Sequence, residues 1–74
     1  DRAGVAAYLA ALYRLSPAES DIAVRLFEGR TRSTIAAERG VTPETLRGQI
    51  KQIYPKCGVD SEASLMRLLA PILS

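Results

Sequence analysis

Arg47, Gly48 and Lys51 share the outer side of a segment that must be helical. In residues 43–56, Leu46, Ile50 and Ile53 recur at i, i+4 and i+7, the repeat of one apolar helix face. At about 100° per residue, the opposite side carries Glu44, Gly48, Lys51 and Pro55, flanked by Arg47 and Gln52. Arginine and lysine donate to guanine edges in the DNA major groove, and glutamine pairs with adenine. Gly48 is unusual, because a glycine inside an exposed helix costs about 1 kcal/mol relative to alanine. Either its missing side chain lets the helix lie close to base edges, or it is a tolerated surface glycine. Glu44 can accept from a cytosine amino group, but an acid in the first turn more simply complements the helix dipole.

Hydroxyls cluster ahead of this face. Thr31, Thr34, Thr42 and Thr45 stand at two helix starts, where unpaired backbone N–H groups favour anions and a phosphate can dock. Ordinary capping is the competing role, and one threonine can do both. Tyr54 and Lys56 close the segment with a phenol and an ammonium that can clamp a phosphate; the plainer alternative is a packed aromatic beside a solvated lysine.

Other chemistry has little to work with. The 74 residues include no histidine and one cysteine, Cys57, so an internal disulfide and a Cys/His zinc site are both excluded. Cys57 has no evident base and the carboxylates are scattered, so the chain is expected not to be an enzyme and to need no cofactor. A ligand pocket of about 300 Å³ is hard to build in so thin a domain. No apolar run approaches the roughly 18 residues of a membrane span. The N-terminus lacks the features of a signal peptide, and a cytoplasmic setting is expected. The start at Asp1 suggests a fragment of a longer chain.

The elements that must position these residues are all helical. The net charge is +2, yet residues 30–56 hold Arg30, Arg32, Arg39, Arg47, Lys51 and Lys56 against only Glu38 and Glu44. A basic middle between slightly acidic ends is the footprint of a polyanion partner; a solvated basic surface is the alternative. Val5, Tyr8, Leu9 and Leu12 predict a helix over residues 4–14. Ser16, Pro17 and Glu19 form a capping-box signature for a second helix that runs to about Glu28 and stops at Gly29. Thr31 or Ser33 caps a short third helix that ends at Gly40. Thr42 and Pro43 open a fourth, expected to end or bend near Tyr54 because Pro55 removes a hydrogen bond. Asp60 or Ser61 opens a last helix with Leu65, Leu68, Leu69 and Ile72 on one face, and Pro71 is a candidate early stop. The fold expected is an all-α bundle of four to five helices. It contains a helix-turn-helix at residues 31–54, a unit whose second helix enters the major groove.

In order and spacing, residues 15–69 resemble the LuxR-type (GerE-type) helix-turn-helix domain, the C-terminal output domain of bacterial transcription regulators. Leu15-Ser16-Pro17 with Glu19 is similar to the family's opening L-T-x-x-E. Ile35-Ala36 with Gly40-Val41 matches its I-A…L-G-[IV]. Thr42, Glu44, Thr45 and Leu46 match S-x-x-T-V, and Ile53-Tyr54, Lys56 and Gly58-Val59 match I-Y-x-K-L-G-V. The resemblance implies base reading by Arg47, Gly48 and Lys51. It also implies phosphate contacts around Thr31, Arg32, Ser33, Thr42, Thr45, Gln49 and Lys56, and a dimer contact on the last helix through Leu65, Leu68, Leu69 and Ile72. The chain departs from the family at Ser33, Thr34, Gln49 and Cys57, where lysine, glutamate, histidine and leucine are common, and Pro55 is atypical.

Residues 1–14 are then a connecting helix to an upstream domain and residues 15–74 the DNA-binding domain. The expected partner is double-stranded DNA, bound as a homodimer through the last helix or the upstream part. A sigma-factor DNA-reading domain has a similar helical layout. From a different class, the chain can be a helical protein-interaction module that retains the fold and binds DNA weakly or not at all.

Overall fold

Each helix begins on a side-chain oxygen and most end on a left-handed residue, and these caps fix the order of the chain. The computed structural model describes all 74 residues: α1 (Arg2–Tyr13), α2 (Pro17–Phe27), α3 (Arg32–Arg39), α4 (Pro43–Cys57) and α5 (Glu62–Leu73). Asp1, Ser16, Thr31, Thr42 and Ser61 are the N-caps. At α2 the capping box is complete: Glu19 N–H donates to Ser16 Oγ at 3.1 Å, and Ser16 N–H donates to Glu19 Oε1 at 2.8 Å. Thr31 rather than Ser33 caps α3, and Ser61 rather than Asp60 caps α5.

The sequence reading stopped two helices too soon. α4 continues through Pro55 to Cys57, and α5 continues through Pro71 to Leu73. Both prolines lie in a last turn, where a missing N–H forfeits a single bond rather than breaking a ladder. Beyond Pro55 the end is secured by Gly58 at φ 69°, with Gly58 N–H on Pro55 O at 3.2 Å and Val59 N–H on Tyr54 O at 2.9 Å. That pair of bonds is a Schellman close, and it recurs at Gly40. α1 also begins earlier than its apolar pattern implied, at Arg2, because Asp1 caps it through Gly4 N–H.

α2 is the hub and packs against all four other helices. Its Ile22, Ala23, Val24 and Leu26 join Leu9, Leu15, Ile35, Ala36, Leu46, Ile50, Ile53, Cys57, Leu65 and Leu69 in one apolar core. The N-terminal helix is part of that core. Leu9 is fully buried, and the buried Ser20 hydroxyl of α2 donates to the Ala6 carbonyl. The outer side of α1 is unpartnered, with Tyr8 and Leu12 exposed.

Candidate nucleic-acid interface

α3 and α4 meet across Gly40, Val41 and Thr42. Gly40 is left-handed at φ 68°, its N–H reaches Ala37 O at 3.2 Å, and Val41 N–H reaches Ala36 O at 3.0 Å. This turn redirects the chain within Gly40, Val41 and Thr42 and lets Thr42 cap α4. Leu46, Ile50 and Ile53 are then fully buried, which fixes the rotation of α4 about its axis. Glu44, Arg47, Gly48, Lys51, Gln52 and Pro55 are left exposed on the far side, as the periodicity predicted. A 15-residue helix is about 22 Å long.

The cations of the basic middle segment differ sharply in their surroundings. Arg30 and Arg39 belong to a single chain of alternating charges. Arg2 meets Glu28 at 2.7 Å, Glu28 meets Arg30 at 3.3 Å, and Arg30 meets Glu38 at 2.9 Å. Glu38 then meets Arg25 at 2.6 Å, Arg25 meets Asp21 at 2.8 Å, and Asp21 also takes Arg39. Burial works to raise the Asp21 pKa, but the hydrogen bonds and charges of Arg25 and Arg39 outweigh it and hold the carboxyl low. Arg32 is held by Glu62 at 3.1 Å and also donates to Tyr54 Oη at 3.3 Å. Lys56 is held by Glu19 at 2.7 Å. Arg47 and Lys51 alone among the six form no ion pair.

The predicted phosphate-contacting set divides accordingly. Thr31, Arg32, Ser33, Thr42 and Thr45 are all exposed at the starts of α3 and α4. Thr42 Oγ1 both accepts from Thr45 N–H at 3.1 Å and donates to Thr45 Oγ1 at 3.0 Å, so the Thr45 hydroxyl proton is left to donate outward. Thr31 and Thr34 repeat this arrangement on α3. Gln49 is half-buried and its Oε1 has no partner. Lys56 is turned to the protein itself. Glu19 is 5% exposed; burial raises its pKa, but the hydrogen bonds from Lys56 and Ser16 N–H prevail and hold it below the ordinary value.

The dimer set divides too. Leu65 and Leu69 are fully buried in the chain's own core, so neither is available to a second copy. Leu68 and Ile72 remain half-buried at its edge. The helical repeat located the apolar face of α5 but not which part of it α2 and α4 cover.

Two features escaped the sequence reading. The carboxylates Glu19 and Glu62 hold Lys56 and Arg32 across separations of 37 and 30 residues. An open apolar groove of about 450 Å³ lies along α1, lined by Ala3, Ala6, Ala7, Ala10, Pro17 and Ser20. It is larger than so small a domain was expected to form, since small side chains on α1 leave space beside Pro17. Cys57 is 8% exposed, and burial, followed by the nearby Glu19 charge, raises its thiol pKa and disfavours the reactive thiolate. No group of His, Cys, Asp and Glu side chains is placed to hold a metal, and no helix is long and apolar enough to cross a membrane.

No protein-family model, curated protein or solved structure matches the chain.

Proposed function

We propose that the chain binds double-stranded DNA by laying the exposed face of α4 in the major groove, as the output domain of a transcription regulator. One observation carries the reading. Of the six cations in residues 30–56, the two without a carboxylate partner, Arg47 and Lys51, lie together on the exposed side of the second helix of a helix-turn-helix. Unpaired donors one turn apart can meet successive base edges or phosphates without first breaking an internal contact. Gly48 between them supports close approach, since a Cβ there would meet nothing within 4 Å and no packing within the chain calls for glycine. The N–H groups of Arg32 and Ser33, and of Glu44 after Pro43, have no backbone acceptor and suit flanking phosphates. The resemblance to LuxR-type domains adds to this reading.

Fluorescence anisotropy with a mixed-sequence duplex over a salt series tests it. Each phosphate neutralised by a cation adds about −0.9 to the slope of log affinity against log salt, and on a mixed-sequence duplex Arg47 and Lys51 meet phosphates rather than particular base edges. Arg47→Ala/Lys51→Ala therefore flattens the slope by about 1.8 and lowers affinity about 60-fold at 0.1 M salt. An unchanged slope, or no binding by folded protein at about 100 μM in low salt, would sink the proposal.

A second reading, a protein-interaction module, rests on α1. Its outer side presents Tyr8 at 58% and Leu12 at 48% exposure beside the alanine-lined groove. Under that reading Tyr8→Ser/Leu12→Ser abolishes self-association in sedimentation while Arg47→Ala/Lys51→Ala leaves it unchanged.

A further inference from the structure

Arg32 is the one cation of the helix-turn-helix that is both paired and exposed at the helix start where a phosphate can dock. It is the first residue of α3, where its own N–H and that of Ser33 have no backbone acceptor. Its guanidinium donates from Nε and Nη2 to Glu62 Oε1 at 3.2 and 3.1 Å, and Nη2 also reaches Tyr54 Oη at 3.3 Å. The pair joins the start of α3 to the start of α5, with 46% of the arginine and 43% of the glutamate side chain exposed. Lys56 and Glu19 make the opposite case, because that carboxylate is 6% exposed and cannot be left without its cation. An exposed pair is weak and exchanges readily; one with a buried partner does not.

From this contrast we infer that Glu62 is an internal stand-in for a DNA phosphate. It holds Arg32 in the free protein and yields it to the DNA backbone on binding, so that affinity is set by a competition between carboxylate and phosphate for one guanidinium. Arginine suits the exchange because the two N–H groups that now converge on Glu62 Oε1 can donate to a phosphate oxygen instead. Tyr54, half-buried on α4, keeps a contact with Nη2 and holds the arginine near the α3 start while its partner changes. Ser33 supplies no charge at this edge, and Arg32 next to it does so only when Glu62 lets go.

The inference rests on the DNA-binding reading, and a double-mutant cycle separates the two. Glu62→Gln keeps the size and some hydrogen bonding of the side chain but removes the competing charge. Wild type, Glu62→Gln, Arg32→Ala and the double variant are compared by anisotropy on the same mixed-sequence duplex, with circular dichroism as the check of fold. Glu62→Gln is expected to tighten binding about two- to fivefold, the equilibrium weight of an exposed ion pair. Arg32→Ala flattens the log–log slope by about 0.9 and loses about eightfold at 0.1 M salt in the Glu62→Gln background, and about two- to fivefold less than that in the wild type, where Glu62 must first be displaced. The gain from Glu62→Gln vanishes in the Arg32→Ala background. If the gain persists there, Glu62 acts only by general repulsion and the exchange is wrong; if Glu62→Gln gives no gain, it is equally wrong. Glu62→Ala repeats the arm should the glutamine variant fold poorly. Absence of binding by wild type and every folded variant overturns the DNA reading itself, and the exchange with it.

Discussion

The outer surface shared by α2 and α3 and the outer surface of α4 are both rich in cations, and they differ in what those cations touch. On the first, Arg25, Arg30 and Arg39 alternate with Asp21, Glu28 and Glu38 in one continuous chain of contacts that reaches Arg2 of α1. On the second, Arg47 and Lys51 stand in solvent with Glu44 as the only nearby acid on that face, itself unpaired in the first turn. Net charge cannot distinguish the two surfaces, but the pairing can. Each cation of the first surface is answered by a carboxylate, whereas Arg47 and Lys51 have no internal contact to give up.

The sharpest way to break this comparison is to remove equal charge from each side. Arg47→Ala/Lys51→Ala and Arg2→Gln/Arg30→Gln each delete two positive charges. The first is expected to weaken DNA binding about 60-fold at 0.1 M salt. The second should change it far less, because Arg2 and Arg30 are already matched by Glu28 and Glu38 rather than free for DNA. Equal losses in the same anisotropy titration would show that only total charge matters and that the distinction has no functional meaning.

Lys56 gives the next largest effect, on stability rather than affinity. With Glu19 nearly buried and Lys56 itself 40% exposed, Lys56→Met is expected to lower unfolding free energy by about 2 kcal/mol, below the range for a fully buried pair because solvent reaches the lysine. Urea denaturation measures it. The pH dependence sharpens the point. In the wild type the Glu19 carboxyl is held below its usual value of 4.5. Its contribution is therefore present above that value and lost as pH falls through the depressed pKa. In Lys56→Met the hydrogen bond and charge of the lysine no longer oppose burial, so the Glu19 pKa moves up from its wild-type value and protonation relieves the variant earlier. The stability difference should narrow as pH falls from about 7 to about 3; a constant gap would show that Lys56 acts by packing its methylenes instead.

These contrasts mark where sequence reasoning reached and where it stopped. Local signals were legible. Ser16, Pro17 and Glu19 form the expected capping box, Gly40 makes the expected turn, and Leu46, Ile50 and Ile53 turn inward so that Arg47, Gly48 and Lys51 face out. All of these act within one or two helical turns. The partners of Arg32 and Lys56 were not legible, because ion pairs 30 and 37 residues apart follow from helix packing and leave no periodic trace. The same limit hid the burial of Leu65 and Leu69. Pro55 misled for a different reason, since its penalty depends on how much helix follows it, and here only Lys56 and Cys57 do.

The smallest expected effect concerns Gly48, where stability and binding should move in opposite directions. A Cβ at this position meets no atom within 4 Å, and the residue lies within a regular helix without a positive φ. Alanine there removes the conformational freedom of glycine from the unfolded chain and adds no clash. Gly48→Ala should therefore stabilise the fold by about 1 kcal/mol, a rise in Tm of about 4–8 °C for a domain of this size. If α4 lies against base edges, the same methyl group holds the helix off the groove, and affinity for the duplex falls while the salt slope, set by cations that the substitution leaves in place, stays as it was. Thermal unfolding and anisotropy on one preparation give both numbers. A stabilised variant that binds as tightly as wild type would make Gly48 an ordinary surface glycine and leave the two cations to carry recognition alone.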